Sequence, residues 1–272
     1  MKKIYRIISK RLSYFFLSTL SRILSFFDFK VIPSYTDIKK YNFKYSDNSR
    51  RLIYEPSNEA FAKIIIDTSH YTSELCKLGA KFGTNKSGLN LLGHRSGYTP
   101  YYDLLFRHLK NEKINFAEIG IESNASTKMW RKYFTKAKIY GFEFDDVKIK
   151  KAKKNNLKNT LYRKIDVNYQ MNIEKSFSET KKKFDIIIDD STHYLEHQIN
   201  IVKKVHPFLK KRGILIIEDI FKKRKEHSEK NYFQKLKSFR RVFNKIYFVE
   251  FHNLNNWTAN WKCEKILVLI KN

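Results

Sequence analysis

Between Ile114 and Ile217 short apolar runs alternate with stretches of helical periodicity, and this alternation leaves the chain few architectures to choose from. Residues 116–119, 139–144, 185–188 and 214–217 are the apolar runs, and 126–134 and 193–209 read as helices between them. Runs that are apolar at successive positions, not at every second one, belong to strands covered on both faces. Residues 245–251 and 265–270 form two further runs near the C-terminus, joined by a loop that carries Trp257 and Trp261. That loop is too short for a helical crossover, so these two strands pair antiparallel.

The pattern predicts an α/β fold: a Rossmann-like, doubly wound, mostly parallel sheet of seven strands that closes on an antiparallel C-terminal hairpin, preceded by an N-terminal helical extension. A chain of 272 residues with 42% hydrophobic and 15% aromatic residues supports one buried core and excludes general disorder. Three parts are expected: a basic amphipathic helix at 1–29, a polar connector at 30–75, and the main domain at 76–272. In the first, Tyr14, Phe15, Phe16, Leu20, Ile23, Leu24 and Phe27 recur near helical spacing beside Arg6, Lys10 and Arg11. Arg22 interrupts its apolar stretch and no small-residue cleavage pattern follows, which argues against a signal peptide or a membrane span. Such a helix either docks on protein, a homo-oligomer partner included, or lies on an anionic membrane surface.

The 55 Lys and Arg residues outnumber the 27 Asp and Glu and give a formal charge of +28, which suits a polyanionic environment. The lysines are spread along the chain, however, as an A+T-rich genome would also produce, so charge alone does not select a partner. Two cysteines, Cys76 and Cys263, without a CxxC pair or a Cys/His cluster, exclude a zinc site and a disulfide framework and fit a reducing, cytoplasmic setting.

Three loops at the expected C-terminal ends of the strands carry a nucleoside-binding pattern. Glu118-Ile119-Gly120-Ile121-Glu122-Ser123-Asn124 leads from a strand through a tight turn into a helix, and Gly120 is where the backbone must approach a ligand closely. Glu143 ends the next strand, where a carboxylate can accept both ribose hydroxyls of an adenosine. Asp166 follows a third, placed either near an adenine amino group or as a loop cap. Together these resemble the motifs of class I S-adenosylmethionine-dependent methyltransferases, with Ser123 and Asn124 standing where that family usually has glycines. Asn tolerates positive φ.

The strongest local signal is a pair of apolar strands that each end in two carboxylates, at Asp189-Asp190-Ser191-Thr192-His193 and at Glu218-Asp219. If the two strands are neighbours, up to four carboxyl groups share one crevice, and a hard divalent cation relieves their repulsion. The alternative for Asp189 and Asp190 is to cap the following helix. Over roughly residues 80–220 the chain resembles the metal-dependent sugar O-methyltransferases of macrolide biosynthesis. That resemblance implies Asp190, Glu218 and Asp219 as ligands of Mg²⁺ or another divalent cation, His193 as general base with His197 as its nearest rival, and Asp189 as a support beside the cofactor. The metal would lower the pKa of an acceptor alcohol, His193 would take the proton, and the oxygen would attack the sulfonium methyl of S-adenosyl-L-methionine in line.

Upstream, Lys81-Phe82-Gly83-Thr84-Asn85-Lys86 and His94-Arg95-Ser96-Gly97-Tyr98 resemble the segment that precedes the core in the same family, with Asn85 in place of an Asp. A lid over cofactor and acceptor is expected there, built on Thr84, Lys86, His94 and Tyr98. The acceptor expected is a hydroxyl of a sugar or glycan precursor, as in polysaccharide biosynthesis. Two other functions compete. An RNA methyltransferase would use the basic surface, but the chain has no Asn/Asp-Pro-Pro-Tyr segment and no separate RNA-binding module. A membrane-peripheral scaffold would bind neither cofactor nor metal.

Overall fold

Strands β3 (Asn115–Ile119), β4 (Lys138–Glu143), β5 (Thr160–Lys164), β6 (Phe184–Asp189) and β7 (Leu209–Ile217) are the apolar runs of the central chain, and they pair in parallel. Between them lie α3 (Ala125–Tyr133), α4 (Asp146–Lys154), α5 (Gln170–Ser178) and α6 (Leu195–Val205), with α1 (Glu74–Phe82) and α2 (Thr99–Phe106) before and α7 (Glu229–Leu236) after. The structure, a computed structural model, describes residues 53–54, 60–91, 93–258 and 262–272, which belong to one unit spanning 51–272. The amphipathic helix expected at 1–29 lies outside the described residues.

Strand β8 (Phe243–His252) pairs antiparallel with β9 (Lys265–Lys271), and β9 inserts antiparallel beside β7, as the short Trp257 loop requires. With β1 (Ile53–Tyr54) and β2 (Ala62–Asp67) at one edge, the full order is β1-β2-β8-β9-β7-β6-β3-β4-β5, so the sheet has nine strands among the described residues, not seven. The two additional strands come from the stretch read as connector. Ile64, Ile65 and Ile66 give β2 a β-branched run that fits a pleated surface, and it adds in parallel to the open edge of β8.

Alternation along each central strand divides the interior between the two faces of the sheet. Ala117, Ile119, Ile187, Leu215 and Ile217 point to one face, under Ile173, Phe177, Ile199, Val202 and Tyr232 of α5, α6 and α7. Phe116, Ile186, Ile188, Ile214 and Ile216 point to the other, under Leu75, Tyr102, Met129 and Trp130 of α1, α2 and α3. Each fully buried Ile, Leu, Phe or Met among them contributes roughly 1.5–3 kcal/mol of transfer free energy. Helix α6 is shorter at its start than its periodicity suggested. It begins at Leu195 with Tyr194 as N-cap, and His193 stands outside it with φ +58°.

Candidate active site

Register brings the expected loops to one edge. Ile119 is opposite Asp189 and Asp189 is opposite Ile217, so Gly120, Asp190 and Glu218 each emerge one residue beyond a matched row. A cavity of about 800 Å³ opens there, lined at one end by Gly120, Glu143 and Asp166 and at the other by Asp190, His193 and Asp219.

Gly120 has φ +85°, and a Cβ built on it would lie 2.1 Å from the carbonyl oxygen of Asp190. The close approach at this glycine is therefore made to the backbone of the β6 loop, not to a ligand as expected. Ser123 lines the cavity. Asn124 takes a left-handed conformation, φ +66°, and accepts a hydrogen bond from the Tyr162 hydroxyl at 3.0 Å. Buried behind the loop, Asn124 does not line the cavity, nor does Glu118. The Glu118 carboxylate, expected beside the cofactor, accepts from Thr127 Oγ1 at 2.9 Å and Trp130 Nε1 at 3.1 Å, so it ties α3 to β3 and does not face the cavity.

Glu143 lines the cavity and accepts from the backbone N–H groups of Ile121 and Glu122 with one oxygen and of Phe144 and Asp145 with the other. It thus clamps the Gly120 loop to the end of β4. Asp166 also lines the cavity, where its Oδ1 caps the loop by accepting from Asn168.

Neither Asp189 nor Asp190 caps α6. Asp189 accepts from Ser191 Oγ at 2.7 Å, its other oxygen is buried without a partner, and burial pushes its carboxyl up to about 6. Asp189 lies beneath the cavity wall, not in it. His193 Nε2 is 4.0 Å from Asp190 Oδ1 and 3.8 Å from Asp219 Oδ2. Donor atoms of Asp190, His193 and Asp219 all fall within 4.8 Å of one another, a spacing that could hold a metal ion. Both His193 and Asp219 have positive φ, +58° and +54°, a strained backbone that aims the two side chains inward. His197, the rival base, is hydrogen-bonded to Thr192 Oγ1 and does not line the cavity.

Glu218, expected as the third ligand, is occupied otherwise. Its Oε2 accepts from Lys86 Nζ and its Oε1 accepts from the Tyr102 hydroxyl at 2.7 Å. Burial pushes the Glu218 carboxyl well above its ordinary range, and the Lys86 ammonium opposes that only in part. For Lys86 itself burial works against the charge, but Asp190, Glu218 and Glu118 outweigh it and hold the ammonium well above its ordinary range.

Thr84 and His94 line the cavity. Lys86 and Tyr98 do not. Both are buried under the wall, Lys86 among carboxylates and Tyr98 with its hydroxyl on Asp219 Oδ1 at 2.7 Å. The expectation of a lid on these two is corrected: a side chain held by a buried carboxylate is a foundation. Tyr102 was not foreseen, although its i, i+4 spacing from Tyr98 on α2 is a signal that two hydroxyls share one helix face.

A family model described as a methyltransferase domain matches residues 122–262, more than half of the 272-residue chain. The chain belongs to this methyltransferase family. Among curated proteins the methyltransferase is 26% identical over 182 residues to 8-demethyl-8-(2-methoxy-alpha-L-rhamnosyl)-tetracenomycin-C 3'-O-methyltransferase of Streptomyces olivaceus, covering 62% of this chain and 42% of that one. It is 25% identical over 172 residues to demethylmacrocin O-methyltransferase of Streptomyces fradiae, covering 61% and 41%. The matched region thus spans about two fifths of the length of these relatives. Among solved structures, MycE methyltransferase from the mycinamycin biosynthetic pathway, in complex with Mg, SAH and mycinamycin VI, superposes with a TM-score of 0.55 at 20% identity, covering 74% of this chain and 55% of that one. The methyltransferase therefore has the Rossmann-like class I fold, built on a mostly parallel sheet with an antiparallel hairpin.

Proposed function

We propose that this methyltransferase transfers a methyl group from S-adenosyl-L-methionine to a hydroxyl of a sugar or glycan precursor, with the help of a divalent cation such as Mg²⁺. The observation that carries the reading is the single cavity with a ribose-type carboxylate at one end and two carboxylates and an imidazole at the other. Its volume, about 800 Å³, falls in the range of small-molecule sites. The sugar-modifying relatives support the acceptor class.

The residues fit both groups. Glu143 faces the cavity with a carboxylate that can exchange backbone donors for ribose hydroxyls, and Asp166 and Ser123 border the same end. Asp190 and Asp219 would hold the cation with hard oxygen donors, Glu218 beside them, and the buried His193 Nδ1 has no protein partner. When bound, the sulfonium supplies an electrophilic methyl group and the cation lowers the pKa of an alcohol from about 16. His193 Nε2 faces the same space and takes the acceptor proton. Thr84 and His94 form the cavity wall on the acceptor side.

Calorimetric titration with S-adenosylmethionine and S-adenosylhomocysteine, with and without Mg²⁺, tests this without an acceptor. Micromolar cofactor binding is expected in the wild type and should be lost in Glu143→Ala, and a separate Mg²⁺ signal should be lost in Asp190→Ala. Well-folded protein that binds no cofactor would remove the reading and leave the membrane scaffold to be pursued.

A further inference from the structure

Five carboxylates, Glu118, Asp189, Asp190, Glu218 and Asp219, converge where β3, β6 and β7 end, and all but Asp190 are buried. So many acidic groups could be read as a two-cation site. We propose instead that Lys86 is the positioning residue that takes the place of one cation, neutralising the inner half of the cluster and leaving the outer half for a single divalent ion.

The geometry divides the oxygens. Lys86 Nζ bonds Asp190 Oδ2 and Glu218 Oε2 and lies 3.9 Å from Glu118 Oε1. An ammonium has three donors and no acceptor, which suits a pocket made of carboxylate oxygens alone. Asp219 follows the same plan as Asp190. Its Oδ1 is tied inward by the Tyr98 hydroxyl, while its Oδ2 faces His193. Asp190 Oδ1 also faces His193. The inward oxygens of Asp190, Glu218 and Asp219 are thus satisfied by Lys86, Tyr98 and Tyr102, and the outward oxygens of Asp190 and Asp219 both face His193.

The backbone of Lys86 is also fixed in place. Its carbonyl accepts from the N–H groups of Tyr98 at 2.8 Å and Thr99 at 3.1 Å, at the start of α2, and its N–H reaches Thr84 Oγ1 at 3.4 Å. With the side chain 1% exposed, the ammonium has no route to solvent short of moving that segment. Carboxylates this close do not all stay ionised without a cation among them. On this proposal a second cation takes the place of Lys86 when it is removed.

The inference rests on the proposed cation site for the outer half and on the arrangement of Lys86 alone for the inner half, and the test separates them. Wild-type protein is titrated with MnCl₂, with free Mn²⁺ followed by electron paramagnetic resonance. Lysines of the full chain are labelled sparsely with acetic anhydride, with and without Mn²⁺, and read by mass spectrometry. One Mn²⁺ per chain and a Lys86 protected at least tenfold relative to exposed lysines in both states are expected. Labelling of Lys86 once Mn²⁺ is added, or two Mn²⁺ per wild-type chain, would overturn the inference. No Mn²⁺ binding together with a protected Lys86 would instead remove the cation reading, and with it the outer half. Lys86→Met should raise the stoichiometry from one to two, and a stoichiometry that stays at one would also overturn it. If that variant does not fold, the wild-type measurements decide the matter.

Discussion

At the scale of single residues the site depends on a few backbone positions that tolerate no substitute. Gly120 combines φ +85° with the approach to the Asp190 carbonyl, so an added methyl group meets backbone that cannot swing aside. Gly120→Ala should destabilise the protein by about 2 kcal/mol or more, read as a lowered urea midpoint. Stability equal to wild type would show that the two loops part easily. The need for a close approach at Gly120 was legible in the strand-turn-helix text, but its partner, a carbonyl far along the chain, was not. Lys86 shows the same limit more sharply. A lysine in a Gly- and Asn-rich stretch looks like a loop residue, and only the third dimension places it beneath three carboxylates.

At the scale of elements, the sheet is extended by a strand held with charge as well as with main-chain bonds. Glu250 on β8 pairs with Lys63 of β2 at 3.0 Å and with Lys222 at 3.1 Å. Burial would raise its carboxyl, but Lys222 and Lys63 outweigh that and hold it at about 2, against 4.5 for an ordinary glutamate. A carboxyl depressed in the folded state adds stability that is complete above about pH 4.5 and disappears as pH falls through about 2. Wild type should therefore lose on the order of 2 kcal/mol across that window that Glu250→Gln does not lose. Urea unfolding of both proteins at pH 3 and pH 6 measures this, and parallel losses would refute it. The central strands and the C-terminal hairpin were legible because continuous apolar runs and one short loop admit little else. Strand β2 was hidden because its Ile64-Ile65-Ile66 run follows a long polar stretch, so the reading placed the domain start too late.

At the scale of the molecule, both apolar clusters among the described residues are drawn from residues 61–269. A fragment of residues 51–272 should therefore melt cooperatively and bind S-adenosylhomocysteine within threefold of the full chain. A folded fragment without that affinity would mean that residues 1–50 complete the site. The +28 charge belongs to the whole chain, and no helix among the described residues is long and apolar enough to cross a membrane. The order of the strands gives the crevice two unequal ends. Asp190 leaves β6, which is flanked by β3 and β7 and is almost wholly buried, whereas Asp166 lies just beyond β5, the half-exposed last strand of the sheet. Local opening costs most at the centre of a sheet and least at its border. The end where the proposed methyl transfer takes place is thus stiff by location, and the proposed nucleoside end is the compliant one, where a ligand can enter and leave without disturbing the other.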